Sequence, residues 1–486
     1  MAHEEPDPTL AAIESREAGG RIIRGGLTRV GGYVLGTGLT AIAFALLLRH
    51  LGVADFGRFS TVIAVVTIAA GIAEGGLQAV GQRLYVQAEP AARRQVLGDV
   101  LGLRFVLIPV VVGGAAGFSL LAGYDETMVV GAVVAGIGAV LTLVAVTLTI
   151  PLSVELRNGA VTAVEVARQL TICGAIAVLV IADASLGAFF DGYLVAGAVM
   201  IPVAMVFAGR ARMAWPRFDP SAFRRLVRET GPLAIAIVIN TLYLKLLIIL
   251  ASLLTNDTEV GLFATASRIT EVLIAVPMFV AGTALPLMTH AAANDESRLA
   301  YAVQRIATSL LLLAGATTLL LVLAAEPIID VFAGPGYEDA VGVLQLQAFV
   351  LLGAFLTQTW IYAIVAVQAE RSLIWVNVIG LVAVLGLGLL LIPSDGAIGA
   401  SIAAVAGEVV LAIAGLVALL RARAGVGPAL WPMARCVVPL AAGLLALALP
   451  IAPVFQTAVG LVVFAGVAAA LGAVPAEVGR AVLRRP

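Results

Sequence analysis

Five ionisable residues stand out because they lie inside long apolar stretches of this 486-residue sequence. They are Lys245, Arg268, Glu271, Glu408 and Glu74. A charged side chain at the centre of an apolar membrane helix costs about 2.5–3.5 kcal/mol on insertion scales, so such residues are functional candidates by default. Cations at these depths can bind phosphate groups, and acids can take up a proton or a sodium ion.

Lys245, Arg268 and Glu271 form the candidate cluster with the clearest chemistry. Lys245 is the only lysine of the chain. Glu271 follows Arg268 by three residues, which places both side chains on one face of a helix. Two interpretations remain open. Either Lys245 and Arg268 line a cavity for an anionic substrate, or Arg268 and Glu271 neutralise each other while Lys245 extends towards the membrane interface.

Glu408 and Glu74 are the candidates for ion coupling. Glu408 lies about eleven residues into its apolar stretch, near the expected middle of the membrane. Each acid can couple transport to protons or sodium, or form local hydrogen bonds as a neutral carboxyl group. A sixth charged residue within an apolar stretch, Arg104, lies closer to the end of its stretch, and its long side chain is expected to reach the interface.

Five further residues complete the candidate substrate cavity, namely Arg49, Arg83, Asn240, Gln345 and Gln358. Arg49 and Arg83 end the first and second apolar stretches, where anchoring at the interface is the alternative role. The amide side chains can contact sugar hydroxyls, or form ordinary hydrogen bonds between helices.

Composition indicates the environment that these residues share. Hydrophobic residues make up 61% of the chain and charged residues 12%, whereas soluble domains are about 45–50% apolar and about 25% charged. The excess apolar surface must therefore face lipid. Only helices and closed barrels satisfy their backbone groups there, and stretches of about 20 apolar residues indicate helices. The net charge of −1 does not suggest nucleic-acid binding.

The predicted fold is an all-α polytopic membrane protein with about 14 transmembrane helices. The expected spans are 30–48, 58–80, 97–121, 128–150, 161–181, 186–208, 232–254, 260–286, 304–324, 340–366, 373–392, 397–420, 434–450 and 454–474.

The distribution of basic residues predicts the orientation of these spans. Cytoplasmic loops of membrane proteins are enriched in Lys and Arg. With the N-terminus inside, 24 of the 29 basic residues fall in cytoplasmic segments and only Arg49 and Arg58 in the opposite loops. We therefore expect both termini to be cytoplasmic.

A repeated pattern divides the chain into two lobes. The segment around Asp55-Phe56-Gly57 matches that around Glu259-Val260-Gly261, and each follows one long apolar stretch and precedes another. The expected domains are a cytoplasmic tail (1–28), an N-lobe of six helices (29–208), a basic cytoplasmic linker (209–231), a C-lobe of six helices (232–420) and a final helix pair with a tail (421–486). In the linker, FRRLVRET is expected to form an amphipathic helix on the inner membrane surface.

Two longer motifs resemble one known family. LLLRHLGVADFGRFSTVIAVVTIAAGIAEGGLQAVGQRL (46–84) resembles the opening of the polysaccharide-biosynthesis, or Wzx-type, flippases of the multidrug/oligosaccharidyl-lipid/polysaccharide exporter superfamily. GPLAI (231–235) and EVGLFATASRITEVLIAVPMFVAGTALPLM (259–288) resemble the corresponding part of its second lobe. The resemblance covers residues 20–420. One departure is that Tyr243-Leu244-Lys245 is not followed by the acid that this family often has there.

The resemblance implies a flippase with two lobes around a central cavity. It would move a polyprenyl-pyrophosphate-linked oligosaccharide to the outer leaflet by alternating access, for surface polysaccharide biosynthesis. Its partners would be that lipid-linked substrate and the membrane lipids, with a polysaccharide polymerase and glycosyltransferases as further candidates. A peptidoglycan lipid-precursor flippase and an ion-coupled multidrug exporter of the same superfamily are the alternatives.

The sequence does not predict an enzyme. It lacks the Gly-rich phosphate-binding loop of ATPases, and its three histidines are too dispersed for a metal cluster, so no cofactor or metal is expected. A membrane glycosyltransferase or polymerase would need a large polar outer loop, and the longest outer loop here has about fifteen residues, 325–339.

Overall fold

The computed structural model describes residues 18–209 and 213–473, and within these ranges every regular element is helical. We number the α-helices in chain order: α1 (Ala18–Glu74), α2 (Leu77–Gln87), α3 (Arg93–Leu121), α4 (Glu126–Leu148), α5 (Ile150–Val154), α6 (Asn158–Ile181), α7 (Leu186–Ala208), α8 (Pro220–Leu254), α9 (Asp257–Asn294), α10 (Glu296–Leu323), α11 (Ala325–Phe332), α12 (Ala340–Gln347), α13 (Val350–Ala366), α14 (Arg371–Ala422), α15 (Leu430–Leu444) and α16 (Pro453–Ala470). The predicted tail overlaps the start of α1, and residues 1–17 and 474–486 lie outside the described residues.

Twelve helical stretches of the described chain are long and apolar enough to cross a membrane. Two of them, Leu35–Gln87 and Arg371–Ala422, have 53 and 52 residues, more than twice the length of one crossing. Each contains a residue with non-helical backbone angles, Gly52 and Gly396 respectively. The all-α polytopic fold is confirmed, and the expected count of about 14 spans is approximate.

The described residues form two compact units. One contains the residues up to Leu51 and Arg58–Thr241, and the other contains Gly52–Gly57 and the residues from Leu242 onwards. The division thus falls within α8, whereas the predicted lobes are divided at 209–231. The start of α8 groups with the first unit because Leu226 packs against Leu77, Val80 and Val100 of α2 and α3. The predicted domain limits remain a prediction.

Glycine allows close helix packing in the first unit. A Cβ added to Gly138 of α4 would approach the carbonyl oxygen of Tyr193 to 2.5 Å, and one on Gly197 of α7 would meet the carbonyl of Gly138. Small residues at such crossings let helix backbones approach closely, which gains packing contacts in an apolar environment.

The segment between the two expected lobes is only partly helical. Residues 213–219 form no regular secondary structure, and the Arg217 amide donates a hydrogen bond of 2.9 Å to the Gly98 carbonyl of α3. The Ser221 hydroxyl and amide lower the pKa of Asp219 by hydrogen bonding to its carboxylate. FRRLVRET is helical, as predicted, but it forms the first turns of the 35-residue α8 rather than a separate helix.

In the second unit, Glu259 of the repeated motif caps the helical segment that follows a break in α14. Gly396 interrupts α14 with φ 52° and ψ −126°. The Glu259 carboxylate accepts a hydrogen bond of 2.7 Å from the amide of Ala397, directly after this break. It thereby satisfies one of the backbone N–H groups that a new helix start leaves unpaired.

Asp295 caps the start of α10 in the second unit. Asp295 accepts hydrogen bonds from the Ser297 hydroxyl at 2.7 Å and the Arg298 amide at 3.0 Å. These contacts lower the pKa of Asp295, with the Ser297 bond as the largest cause.

The last two helices pack against the second unit. After α14, Leu440 of α15 and Phe464 of α16 pack against Leu319 of α10.

Candidate functional site

Lys245, Arg268 and Glu271 meet in the second unit. The Lys245 Nζ atom of α8 lies 2.7 Å from Glu271 Oε1, and Arg268 Nη1 lies 3.1 Å from Glu271 Oε2. Their side chains retain 18%, 43% and 29% of their exposure for Lys245, Arg268 and Glu271 respectively. The three charges sum to one positive charge. Arg268 and Glu271 thus pair, as one interpretation of the sequence expects. Lys245 also contacts Glu271, however, instead of extending towards the membrane interface.

Beside this cluster lies a small cleft of about 70 Å³ within the second unit. Residues from α8, α9, α12, α13 and α14 form its walls, and most of them are apolar. The polar lining residues are Tyr243, Ser267, Thr270, Glu271, Gln347 and Glu408. An apolar cleft with a few convergent polar groups is the usual form of a small-molecule site.

Glu408 faces the same cleft in a different electrostatic setting. It lies on α14 and accepts a hydrogen bond of 2.7 Å from the Tyr243 hydroxyl of α8. Within the described part of the chain, its carboxyl group pairs with no basic side chain. Gly353 of α13 makes room for it, because a Cβ there would approach the Glu408 Cβ to 2.7 Å. A buried acid with one neutral hydrogen-bond donor is suited to proton uptake.

Sequence reasoning missed three polar residues of this cleft. Ser267, Thr270 and Tyr243 are common residue types that carry no charge, so nothing marked them among the apolar neighbours. Gln347 also lines the cleft, and its Nε2 atom lies 3.4 Å from Ser267 Oγ.

The buried charges of the first unit pair with each other. Arg104 donates hydrogen bonds to the Glu74 carboxylate, to the Ala73 carbonyl at 2.9 Å and to Thr147 Oγ1 at 3.3 Å. The expectation that Arg104 reaches the interface is wrong, because its side chain is completely buried. It stays inside because Glu74 neutralises it and α1 ends there, leaving carbonyl groups to accept its hydrogen bonds.

The other candidates are dispersed. Arg83 is exposed and pairs with Glu229 at 2.8 Å, and Arg49 is an exposed residue of α1. Asn240 is exposed on the part of α8 that belongs to the first unit. In the second unit, Gln345 donates to the Val322 carbonyl at 3.2 Å, and Gln358 is half-buried on α13. None of these five lines the cleft, and their assignment to a substrate cavity remains a prediction.

The cluster of Lys245, Arg268 and Glu271 borders the second-unit cleft through Glu271, and Glu408 and Tyr243 line the same cleft. The cluster of Lys245, Arg268 and Glu271 has N–H donors and a net positive charge, which favours an anion. Glu408 and Tyr243 can exchange a proton. The described residues contain no group of three or more His, Cys, Asp or Glu side chains placed to hold a metal ion.

The long apolar helices define a multi-pass membrane protein. The family model described as "Polysaccharide biosynthesis protein" matches residues 46–342, and the chain therefore belongs to this family. The resemblance inferred from residues 46–84 and 259–288 is confirmed. Among curated proteins, none matches the chain.

Solved structures of low sequence identity share this fold. "Lipid II flippase MurJ, inward closed conformation" has a TM-score of 0.71 and 14% identity, over 92% of this chain and 98% of that one. A multidrug resistance MATE family transporter of the MOP superfamily, in an inward-facing conformation, has a TM-score of 0.60 and 15% identity, over 82% and 98%. A MOP superfamily transporter from Pyrococcus furiosus has a TM-score of 0.61 and 15% identity, over 87% and 99%.

Proposed function

We propose that this protein is a flippase for a polyprenyl-pyrophosphate-linked oligosaccharide in surface polysaccharide biosynthesis. It would move the substrate from the inner to the outer leaflet of a bacterial cytoplasmic membrane by alternating access. Both termini would be cytoplasmic, and a polymerase and glycosyltransferases would act on the same glycan. Membership in the polysaccharide biosynthesis family supports this class of substrate.

The observation that carries the proposal is the positively charged cluster beside the cleft. Lys245 and Arg268 approach one carboxylate from two helices, so one positive charge remains for an anion. Two phosphoryl groups of a lipid-linked sugar could bind these two cations, while Gln347 and Ser267 provide hydrogen-bonding groups for a glycan. Charge-assisted hydrogen bonds of this kind contribute about 1.5–3 kcal/mol each.

A peptidoglycan lipid-precursor flippase is the second candidate, and the similarity in fold to a lipid II flippase favours it. Its substrate would also contain a pyrophosphate, so the same cluster fits both candidates. An exporter of cationic drugs fits the cluster less well, because Lys245 and Arg268 would repel a cation.

The test replaces each cation by an uncharged residue of similar size. In cells whose only copy is Lys245→Met or Arg268→Gln, we expect surface polysaccharide to fall about tenfold or more, since losing one charge-assisted hydrogen bond corresponds to at least that factor. Surface glycan would be quantified together with the amount of protein in the membrane, which we expect to be unchanged.

Arg168→Gln is the matched control, because Arg168 pairs with Glu165 three residues away on an exposed helix face. It should leave surface glycan unchanged. Normal surface glycan in both cluster variants would contradict the proposal. Accumulation of peptidoglycan precursor with intact surface polysaccharide would instead support the second candidate, and a rise in drug retention alone would support export of drugs.

A further inference from the structure

Two adjoining cavities, of about 300 and 310 Å³, lie in the first unit between α2, α3 and the start of α8. Gln95, Asp99 and Arg225 line both of them, so the two form one space, which we call the linker pocket. Apolar residues that include Leu84 and Val96 form part of its wall. The linker pocket therefore combines apolar surface with charged groups of both signs.

Asp99 is buried in the linker pocket with one carboxylate oxygen unsatisfied. The residue is 2% exposed, and within the described part of the chain its Oδ1 atom accepts no hydrogen bond. The Arg217 Nε atom lies 3.7 Å from Oδ1, which is beyond hydrogen-bond distance. Arg217 thus balances the charge of Asp99 without satisfying this oxygen. Because a buried carboxylate oxygen without a donor is costly, the linker pocket favours a ligand that carries N–H donors.

Arg225 supplies the opposite charge. It is an exposed residue near the start of α8. A guanidinium group binds phosphate with well-matched geometry, so Asp99 and Arg225 together fit a ligand that contains both an ammonium and a phosphate group. The charged side chains that act on Asp99 are Arg217, Asp219 and Arg225. With Asp99 their charges sum to zero, which suits a ligand without net charge.

We propose that the linker pocket binds the headgroup of phosphatidylethanolamine from the inner leaflet, with the ammonium group on Asp99 and the phosphate on Arg225. Asp99 is the seventh residue of α3, at the end of this apolar stretch that the distribution of basic residues assigns to the cytoplasmic side. Leu84 and Val96 offer apolar contacts to the lipid beside its headgroup. This lipid site is separate from the second-unit cleft and does not depend on the transported substrate.

The lining of the linker pocket favours this headgroup over two common alternatives. A choline headgroup has no N–H donor for Asp99, and none of the described lining residues is an aromatic ring of the kind that binds quaternary ammonium groups. A phosphatidylglycerol headgroup has a net negative charge and no cation, so its charge would be repelled by Asp99 and Asp219. The ethanolamine headgroup alone among the three offers both N–H donors and a neutral total charge.

A lipid in this place would also fasten the linker. The linker backbone already touches α3, since a Cβ added to Gly102 would collide with the Arg217 carbonyl. A headgroup held between Asp99 of α3 and Arg225 of α8 would add a second connection between these segments. We therefore expect its binding to raise the unfolding temperature of the protein.

The experiment compares three lipids that share their acyl chains and differ in the headgroup. Phosphatidylethanolamine, phosphatidylcholine and phosphatidylglycerol would each be titrated into the delipidated full-length protein in detergent, and retained lipid would be measured by native mass spectrometry. We expect the tightest site to bind phosphatidylethanolamine about tenfold or more strongly than the other two, since one charge-assisted hydrogen bond corresponds to at least that factor.

Two variants separate the roles of the charges. Asp99→Asn should abolish the preference for phosphatidylethanolamine over phosphatidylcholine. Arg225→Gln should weaken the binding of all three lipids by a similar factor, because each contains a phosphate, and leave that preference unchanged. Arg224→Gln is the matched control, since Arg224 is an exposed neighbour on α8 outside the lining of the pocket, and it should change neither property.

A preference that persists in a folded Asp99→Asn protein would overturn the inference. If that variant does not fold, the wild-type protein still decides, because equal retention of the three lipids contradicts a site for the ethanolamine headgroup. Displacement of the bound lipid by an equal concentration of soluble phosphoethanolamine would show that the pocket serves a soluble molecule, and it would refute the lipid assignment.

Discussion

At the scale of single residues, Arg104 shows how a buried charge is held inside the first unit. Arg104 is completely buried, and its guanidinium group has three hydrogen-bond partners from α1 and α4. Among them is the carbonyl of Ala73, one residue before α1 ends at Glu74. Gly75 and Gly76 follow with φ of 42° and 78°, a left-handed conformation that glycine adopts without strain. Arg104 thus stabilises the end of a membrane helix.

Removing Arg104 should therefore destabilise the first unit strongly. In Arg104→Met the Glu74 carboxylate and the Ala73 carbonyl lose their donor, and breaking a buried ion pair in this way typically costs about 3–5 kcal/mol. We expect a clear fall in the thermal unfolding temperature of the purified protein in detergent, measured by intrinsic fluorescence.

Arg83→Gln serves as the comparison, since Arg83 and Glu229 form an exposed ion pair. Such pairs contribute about 0–1 kcal/mol, so this variant should unfold close to the wild-type temperature. Equal unfolding temperatures for Arg104→Met and Arg83→Gln would refute the structural role of Arg104.

At the scale of helices, the repeated motif explains why glycine stands at matching positions. A Cβ on Gly57 would collide with the carbonyl of Asp257, and one on Gly261 would collide with the carbonyl of Val53. Each glycine therefore lets the backbone of the other copy come close. The sequence predicted the repeat from the spacing of Asp55, Gly57, Glu259 and Gly261, but not that the two copies contact each other.

Replacing either glycine by alanine should disturb this crossing. The added Cβ would need the backbone to shift, and overpacking of this kind typically costs about 1–3 kcal/mol. We expect Gly57→Ala and Gly261→Ala to lower both the unfolding temperature and the export of surface glycan. Gly113→Ala is the control, because no atom of a neighbour lies within 4 Å of its added Cβ. If the unfolding temperature and the glycan export fall no further than in Gly113→Ala, the helix crossing tolerates a side chain.

At the scale of the whole molecule, the distribution of basic residues predicts how the protein is oriented in the membrane. This prediction does not depend on how the helices pack. Cytoplasmic loops retain Lys and Arg because translocating them is unfavourable. With 24 of 29 basic residues in alternate segments, we expect the segments that contain Ser221 and Ser297 to face the cytoplasm, and those that contain Ser185 and Ser394 to face outward.

Single cysteines test this orientation directly. Cys173 and Cys436 would be replaced first, and Ser185, Ser394, Ser221 and Ser297 are all exposed. In intact cells, a membrane-impermeant maleimide should label Ser185→Cys and Ser394→Cys. Ser221→Cys and Ser297→Cys should react only after the cells are permeabilised. The opposite pattern would invert the orientation, and a mixed pattern would mean that the number of spans between the labelled sites differs from the prediction.

The sequence by itself determined the fold class, the repeated motif and three of the residues that meet beside the cleft. These features depend on local properties, namely apolar length, residue spacing and the cost of charge in lipid. Lys245, Arg268 and Glu271 were recognisable because a charged residue within an apolar membrane helix costs free energy and is therefore a functional candidate.

Only the tertiary structure decided which residues pair. Lys245 of α8 pairs with Glu271 of α9, and the Tyr243 hydroxyl donates a hydrogen bond to Glu408. Arg104 pairs with Glu74 inside the first unit. Helical periodicity fixes neighbours three or four residues apart, as it did for Arg268 and Glu271. Partners on different helices depend on the rotation and depth of each helix in the packed unit, which residue spacing along the chain does not contain.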